Sequence, residues 1–596
     1  MCDLCKRSGH CPSEEAAVTT NELSFMVGGP AGFGVKTAGM IFARLCSRAG
    51  LHVYGNVEYP SVIRGDHNSY QVMVSRKRVF GHTRILDILL ALDDLSIELH
   101  NDEIRSGGAV VYDADKSKVD RRELEEQGVL FVGVPFQSII KEVGGGQRLL
   151  NTMGIGATMG LLRFDFDAIA STLEDTFARH GPDVLKQNLH ATRRAYNAAS
   201  EGFSDRFDVT LQREDAPKRM LLTGNEALAM GAIKAGVKFY AGYPMTPSSS
   251  ILSYLAARER EYGLVVKHAE DEISAAGMAL GASFAGTRAM TATSGGGFCL
   301  MCEFVGLAGM TETPLVIVES QRPGPSTGLP TRTEQSDLKF VLSASQGEFP
   351  RIVIAPGDPE ESFRLTFEAF NLAEKYQTPV ILLMDKHLSE STWTLEPFDT
   401  SGMVVDRGAR LDEATLASTG EYKRYAFTES GISPRVAPGT PGGTFCATSD
   451  EHDEEGHICE DESVRSRMME KRLRKTDSLD VSECGWKLHG DSEADLLIVG
   501  WGSTTSAIRG AMDLLAASGT SVSFLQVIFL SPFPAEQVTR VLSQANRVII
   551  VENNATAQLA DVIREKTGIE IEDALLKYTG RQWLVDELAE EIRRRL

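Results

Sequence analysis

Three acids, Glu270-Asp271-Glu272, lead straight into a run of small, mostly apolar residues, Ile273-Ser274-Ala275-Ala276-Gly277-Met278-Ala279-Leu280-Gly281. Acids in the first turn of a helix complement its dipole, and that alone would account for them. The run behind them is so apolar, however, that Glu272 at its entrance is pressed toward the interior, where a carboxylate needs a partner or a task. Upstream, Tyr243-Pro244-Met245-Thr246-Pro247-Ser248-Ser249-Ser250 follows an apolar strand at its carboxyl end, the place where open α/β sheets bind ligands. Two prolines stiffen this loop, and the hydroxyls and amides that open the next helix suit a carboxylate. Helix capping by serine or threonine is the plainer reading. Ser294-Gly295-Gly296-Gly297 again follows a strand, as a close backbone approach to a ligand or as a flexible turn. Arg322, with Thr327 among the hydroxyls beyond it, supplies a cation suited to a carboxylate.

Three other stretches invite chemistry less specifically. Gly28-Gly29-x-x-Gly32-x-Gly34 comes close to a dinucleotide fingerprint but fails its spacing, and Lys36-Thr37 stands at the wrong distance for a P-loop. A phosphate at the helix start and a tight strand-to-helix turn are both open. Glu58 to Asn68 is a dense polar loop, a pattern that solvation or turn formation explains as well as a site does. Cys2, Cys5, His10 and Cys11 put four possible metal ligands within ten residues. They could hold zinc or a cluster, but no second ligand pair follows, and a loose tail is the favoured reading.

The elements that must position these residues read as α/β throughout. Glu22 to Val27, Ile88 to Leu92, Ala109 to Tyr112 and Val129 to Val134 are strand-like and alternate with helical segments, which predicts a mostly parallel sheet. Helical pattern dominates from Asn151 to Gly202. In a second α/β segment Asn225 could cap a helix ending near Gly236, and strands follow at Lys238 to Ala241, Ala289 to Thr293, Leu315 to Glu319, Arg351 to Ala355 and Val380 to Met384. A third has strands at Leu496 to Val499, Ser521 to Leu525 and Arg547 to Val551. The expected organisation is a cysteine-containing tail (1–19), α/β domains at 20–208, 218–398 and 491–596, and a linker or wrapping arm at 399–490. The arm's acidic run Asp450 to Glu462 and basic run Arg465 to Lys475 read as a solvated, charged connector.

Composition narrows the function. A formal charge of -21 excludes the net positive surface that a nucleic-acid binder needs. No apolar run approaches the roughly 18 residues of a membrane span, and the start lacks a secretory pattern, so a cytoplasmic location is expected. Nine cysteines in 596 residues are too few and too scattered for a disulfide framework.

Taken in order, GGPAGFGVKTAG, VEYPSVIRGDHNSYQV, GYPMTPSS, EDEISAAGMALGA, TATSGGG and RPGPSTGLPT resemble the 2-oxoacid:ferredoxin oxidoreductases over nearly the whole chain. Residues 20–208 are similar to the gamma subunit. Residues 218–400 are similar to the alpha pyrimidine-binding domain, and the last hundred to a transketolase C-terminal-like domain. The gamma-then-alpha order is most similar to alpha subunits acting on 2-oxoglutarate. The resemblance implies a Rossmann-like first domain and oxidative decarboxylation of 2-oxoglutarate to succinyl-CoA, with pyruvate or a branched-chain 2-oxoacid as alternatives. It implies thiamine diphosphate as cofactor, held at Tyr243, Pro244, Glu272, Ser294 and Gly295, with Glu272 on the aminopyrimidine. Thr246, Arg322 and Thr327 would receive the substrate, and coenzyme A would take the acyl group. A transketolase-like transferase and a non-catalytic nucleotide-binding scaffold are the readings of other classes; the second leaves Thr246, Glu272 and Arg322 unexplained.

Two departures stand out: the loop at Ser294 to Gly297 lacks the family's usual proline, and the cysteine-rich start is not part of the pattern. The chain also has no Gly-Asp-Gly for the diphosphate and Mg²⁺, and no C-x2-C-x2-C run. A beta subunit is therefore expected to bring Mg²⁺, the diphosphate clamp and a 4Fe-4S cluster that passes electrons to ferredoxin.

Overall fold

In the computed structural model, residues 19–61, 66–418, 420–491 and 494–596 are described. The chain divides into two compact units between Leu221 and Leu222.

Within the first unit six strands stand in the order Leu130–Val134, Ile104–Asp113, Leu86–Ala91, Leu23–Pro30, His67–Ser75, His52–Glu58. The first four, those read as strands in the sequence, run parallel as expected, and His67–Ser75 alone is antiparallel to its neighbours Leu23–Pro30 and His52–Glu58. The reason lies in the polar stretch after Glu58, which is too short to carry the crossover helix that parallel neighbours need. It reverses the chain instead, with Val62 to Gly65 outside the described residues. The glycines at the end of Leu23–Pro30 and just after it serve packing: a Cβ at Gly28 would fall 2.9 Å from His67 Cε1, and one at Gly34 2.1 Å from Asn151 Nδ2. Gly34, at φ 76°, opens helix Val35–Arg48. The expected helical region comprises Leu150–Leu161, Phe166–Phe177 and Pro182–Phe203. Gly156 and Gly160 let the first of these touch the backbone of the third, since a Cβ there would come within 2.6 Å of Thr192 O and 2.4 Å of Tyr196 O.

The second unit holds two sheets. Seven strands stand in the order Val265–His268, Phe239–Gly242, Ala289–Thr293, Leu315–Gln321, Pro379–Asp385, Ile352–Ile354, Phe529–Ser531, all parallel except the last. Five more follow the order Trp486–His489, Val522–Val527, Leu496–Trp501, Val548–Glu552, Ala574–Leu576, with only Trp486–His489 antiparallel. Strand Phe529–Ser531 directly succeeds Val522–Val527 yet pairs with the larger sheet. One hydrophobic core serves both layers, running from Phe298, Met301 and Leu338 to Trp501, Leu525 and Ile563. Each large side chain buried there contributes roughly 1.5–3 kcal/mol.

The charged arm is not a solvated connector. Its Lys471 and Lys475 are buried and both reach Glu312, each at 2.6 Å, while Arg424 donates to the Glu312 carbonyl at 2.7 Å. A second buried acid, Glu374, gathers Arg288 at 2.9 Å, Arg407 at 2.6 Å and Arg435 at 2.9 Å. The cations of the arm are consumed by acids of the α/β layer, which local composition does not reveal.

Candidate active site

Strand Phe239–Gly242 has Val265–His268 on one side and Ala289–Thr293 on the other. The chain's winding reverses there, which opens a crevice at the carboxyl ends of the strands. The four loops singled out in the sequence all leave this edge: 243–248 after Phe239–Gly242, 269–271 after Val265–His268, Ser294 after Ala289–Thr293, and the loop from Arg322 after Leu315–Gln321.

Helix Glu272–Phe284 begins at the acid of interest. Asp271 caps it, accepting from Ser274 N at 2.8 Å, so the dipole is served by a neighbour. Glu272 is free to turn inward: it is 3% exposed, and no hydrogen bond reaches its buried Oε1. The residues after Ser294 are the first turn of helix Gly295–Met310 rather than a loop. Ser294 itself is fully buried with an unpartnered Oγ. The missing side chain at Gly297 makes room for the acid, because a Cβ there would meet Glu272 Oε1 at 2.7 Å and Thr293 Oγ1 at 2.0 Å. At Gly295 it would meet Asp337 Oδ2 at 2.3 Å.

Arg322 crosses toward the first loop, and its Nη1 donates to the Thr246 carbonyl at 2.8 Å. Burial lowers the affinity of its guanidinium for the proton, while the negative charges of Glu272 and Asp337 raise it. Its Nε has no partner. Thus Thr246, Glu272, Ser294, Gly295 and Arg322 come together. Tyr243, Pro244 and Thr327 are exposed, and none of the three bonds to Glu272, Thr246 or Arg322. Cys2, Cys5 and Cys11 lie outside the described residues. Asp453, Glu455 and His457 bring three ligand atoms within 4.8 Å of one another, with Glu455 and His457 exposed.

The structure adds residues that sequence reading missed. Asn225 is not the helix cap; Thr223 is, in a capping box with Glu226. The fully buried Asn225 instead donates its amide to Pro247 O and Ser250 Oγ, both at 2.9 Å, and so holds the Thr246 loop. Gln335 donates to Trp501 O at 2.9 Å and accepts from Asn553 N at 3.0 Å, tying the loop after Arg322 to the smaller sheet. Glu319 and Asp337 form a buried acid pair beside Gly295. An acid closing the apolar strand Leu315 to Glu319 was the visible signal.

Residues 230–471 match the family model described as "Pyruvate flavodoxin/ferredoxin oxidoreductase, thiamine diP-bdg". Residues 24–198 match "Pyruvate ferredoxin/flavodoxin oxidoreductase", and 494–586 match "Pyruvate:ferredoxin oxidoreductase core domain II". A 2-oxoacid:ferredoxin oxidoreductase subunit alpha of Sulfolobus sp is 36% identical over 96% of both chains. The chain belongs to the 2-oxoacid:ferredoxin oxidoreductase family, as an alpha subunit. Another relative of this oxidoreductase, the 2-oxoglutarate oxidoreductase subunit KorA of Mycobacterium tuberculosis, is 28% identical over 95% of this chain and 90% of its own. A solved 2-oxoglutarate:ferredoxin oxidoreductase from Magnetococcus marinus, with 2-oxoglutarate, coenzyme A and succinyl-CoA bound, superimposes with a TM-score of 0.89 at 34% identity, covering 96% of this chain and 99% of that one. The crevice thus lies in the thiamine-diphosphate-binding domain of an oxidoreductase subunit. Its buried polar atoms without protein partners, Glu272 Oε1, Ser294 Oγ and Arg322 Nε, are those that a polar ligand would satisfy. Among the described residues no helix is long and apolar enough to cross a membrane.

Proposed function

We propose that this alpha subunit works in a coenzyme-A-acylating 2-oxoglutarate:ferredoxin oxidoreductase of the cytoplasm, producing succinyl-CoA and passing electrons to ferredoxin. The observation that carries the reading is the buried Glu272, its Oε1 unpartnered over Gly297 and its charge felt by Arg322. An acid without a partner at the switch point of a parallel sheet is built for a ligand that donates to it. The liganded Magnetococcus marinus enzyme and the KorA relative favour 2-oxoglutarate as substrate.

Bound thiamine diphosphate supplies the electron sink needed to break the bond between the substrate's carboxylate and its keto carbon. Glu272 accepts a hydrogen bond from the aminopyrimidine and holds a proton there. Tyr243, Pro244, Ser294 and Gly295 line the cofactor's side of the crevice. Arg322 takes the substrate carboxylate, Thr246 the neighbouring keto oxygen, and Thr327 stands at the rim. The half of the cofactor site that this sequence lacks, with its Mg²⁺ and a 4Fe-4S cluster, belongs to a beta subunit, in an alpha-beta pair doubled into a heterotetramer.

The test is co-expression with that beta subunit and a panel of 2-oxoacids, read as coenzyme-A-dependent reduction of a viologen dye. The expected result is turnover by the complex, fastest with 2-oxoglutarate, and none by the chain alone. Turnover by the isolated chain with thiamine diphosphate would overturn the half-site; preference for pyruvate or a branched-chain acid would overturn the substrate.

A further inference from the structure

Glu319, two residues before the end of strand Leu315–Gln321, is fully buried, and no hydrogen-bond donor reaches either carboxylate oxygen. Its contact is with another acid, Asp337, at hydrogen-bond distance, with Asp385 and the Cys299 thiol as further neighbours. Asp337 in turn faces Arg322, and Glu334 on the same loop lies in its field. The position of Asp337 is locked, because its backbone N donates to Gln321 Oε1 at 3.0 Å while Gln321 Nε2 donates to Met384 O at 3.0 Å. Its carboxyl presses on Gly295, one residue pair ahead of the Gly297 that lies against Glu272.

Two buried carboxyls in contact cannot both ionise, so a proton stays between them: the Glu319 O–H donates to the Asp337 carboxylate. Burial and the neighbouring acids push Glu319 well above the carboxylate range, and burial brings Asp337 to about 6. A hydrogen-bonded acid pair with an arginine beside it is more than a structural filler. Arg322 feels two carboxylates, Glu272 and Asp337, and closure onto Glu272 would neutralise the acid that the ligand needs.

We propose that Glu319 and Asp337 are positioning residues of this active site: the acid–carboxylate pair places a single negative charge behind Arg322, which holds the guanidinium against Thr246 and keeps Glu272 free. The kinetic consequence rests on the function proposed above; the pairing itself does not.

Two substitutions separate the parts. In Glu319→Gln the amide still donates to Asp337, so the charge behind Arg322 persists. In Asp337→Asn that charge is gone. Infrared difference spectra of the full chain alone, wild type against Glu319→Gln at pH 8, should show a protonated-carboxyl C=O stretch lost in the variant. In the complex with the beta subunit, Asp337→Asn should lower kcat for the 2-oxoacid by roughly tenfold or more, about one step of 1.4 kcal/mol. It should also remove the acid limb near pH 6 that protonation of Asp337 gives the wild type. Absence of the infrared band overturns the proposal whatever the activity. A wild-type kcat and pH profile in Asp337→Asn overturns it even if the band is present. Failure of the functional reading leaves a different mark: the band is present, and the wild-type complex turns over no 2-oxoacid.

Discussion

Gly297 and Glu272 share one space: the site a Cβ would fill on the glycine lies 2.7 Å from both Cγ and Oε1 of the acid. Inside a helix glycine costs about 1 kcal/mol relative to alanine, so Gly297→Ala should stabilise the helix if propensity decided the matter. Overlap decides instead, because Thr293 Oγ1 would lie only 2.0 Å from the new carbon and Glu272 Cγ and Oε1 2.7 Å from it. The expected outcome is a folded complex with beta subunit whose viologen-reducing activity falls about 100-fold, the scale of a misplaced proton-transfer group. Size-exclusion chromatography and steady-state rates together check it.

Glu272→Gln tests the same acid without disturbing packing. The amide nearly matches the carboxylate in shape, so assembly should survive, but a charge is lost where Arg322 feels it. Activity should fall at least about 100-fold. Normal turnover in this variant would remove Glu272 from the reaction.

Arg322→Lys keeps the cation and discards the planar fork. The Nη1 bond to Thr246 O at 2.8 Å would go with it. A bidentate grip on a carboxylate is not replaced by an ammonium. The KM for the 2-oxoacid should rise roughly tenfold or more, with a smaller change in kcat.

Three of the four loops of the crevice were legible because each directly follows an apolar strand, where a parallel sheet opens. The loop before Glu272 stood out only by its acids, since the strand before it, Val265–His268, is largely exposed. The helices after Asn151 were legible from their period. What was hidden depended on distant partners. Glu312 meets Lys471 across 159 positions, so the basic run around Lys471 and Lys475 reads locally as solvated although it is buried. The Glu319–Asp337 contact is hidden in the same way: each acid alone is only an oddity of composition.

The buried Glu312 cluster yields a stability prediction with its own control. Glu312→Gln leaves Lys471 and Lys475 without their counter-charge at exposures of 2% or less. Breaking a buried pair on one side costs about 3–5 kcal/mol. The exposed pair Lys423–Glu455, 3.1 Å apart, should by contrast lose no more than about 1 kcal/mol in Glu455→Gln. Denaturant midpoints of the full chain, followed by tryptophan fluorescence, should separate the two variants clearly.

Stability should also depend on pH through Asp337, and the sign follows from its shift. Its pKa is raised by burial from the ordinary 3.8 to about 6 in the folded chain. Between those values the folded state holds a proton that the unfolded state has released. The contribution is therefore fully present below about pH 4 and is lost as pH rises through 6. Two units correspond to up to roughly 3 kcal/mol, at 1.36 kcal/mol per unit. Glu334, raised to about 7 by burial and by Asp337, acts in the same direction on a more exposed group. Other residues titrate as well, so the informative quantity is the difference between wild type and Asp337→Asn. That difference in unfolding free energy should favour the wild type more at pH 4.5 than at pH 7.5, and a pH-independent difference would contradict the burial argument.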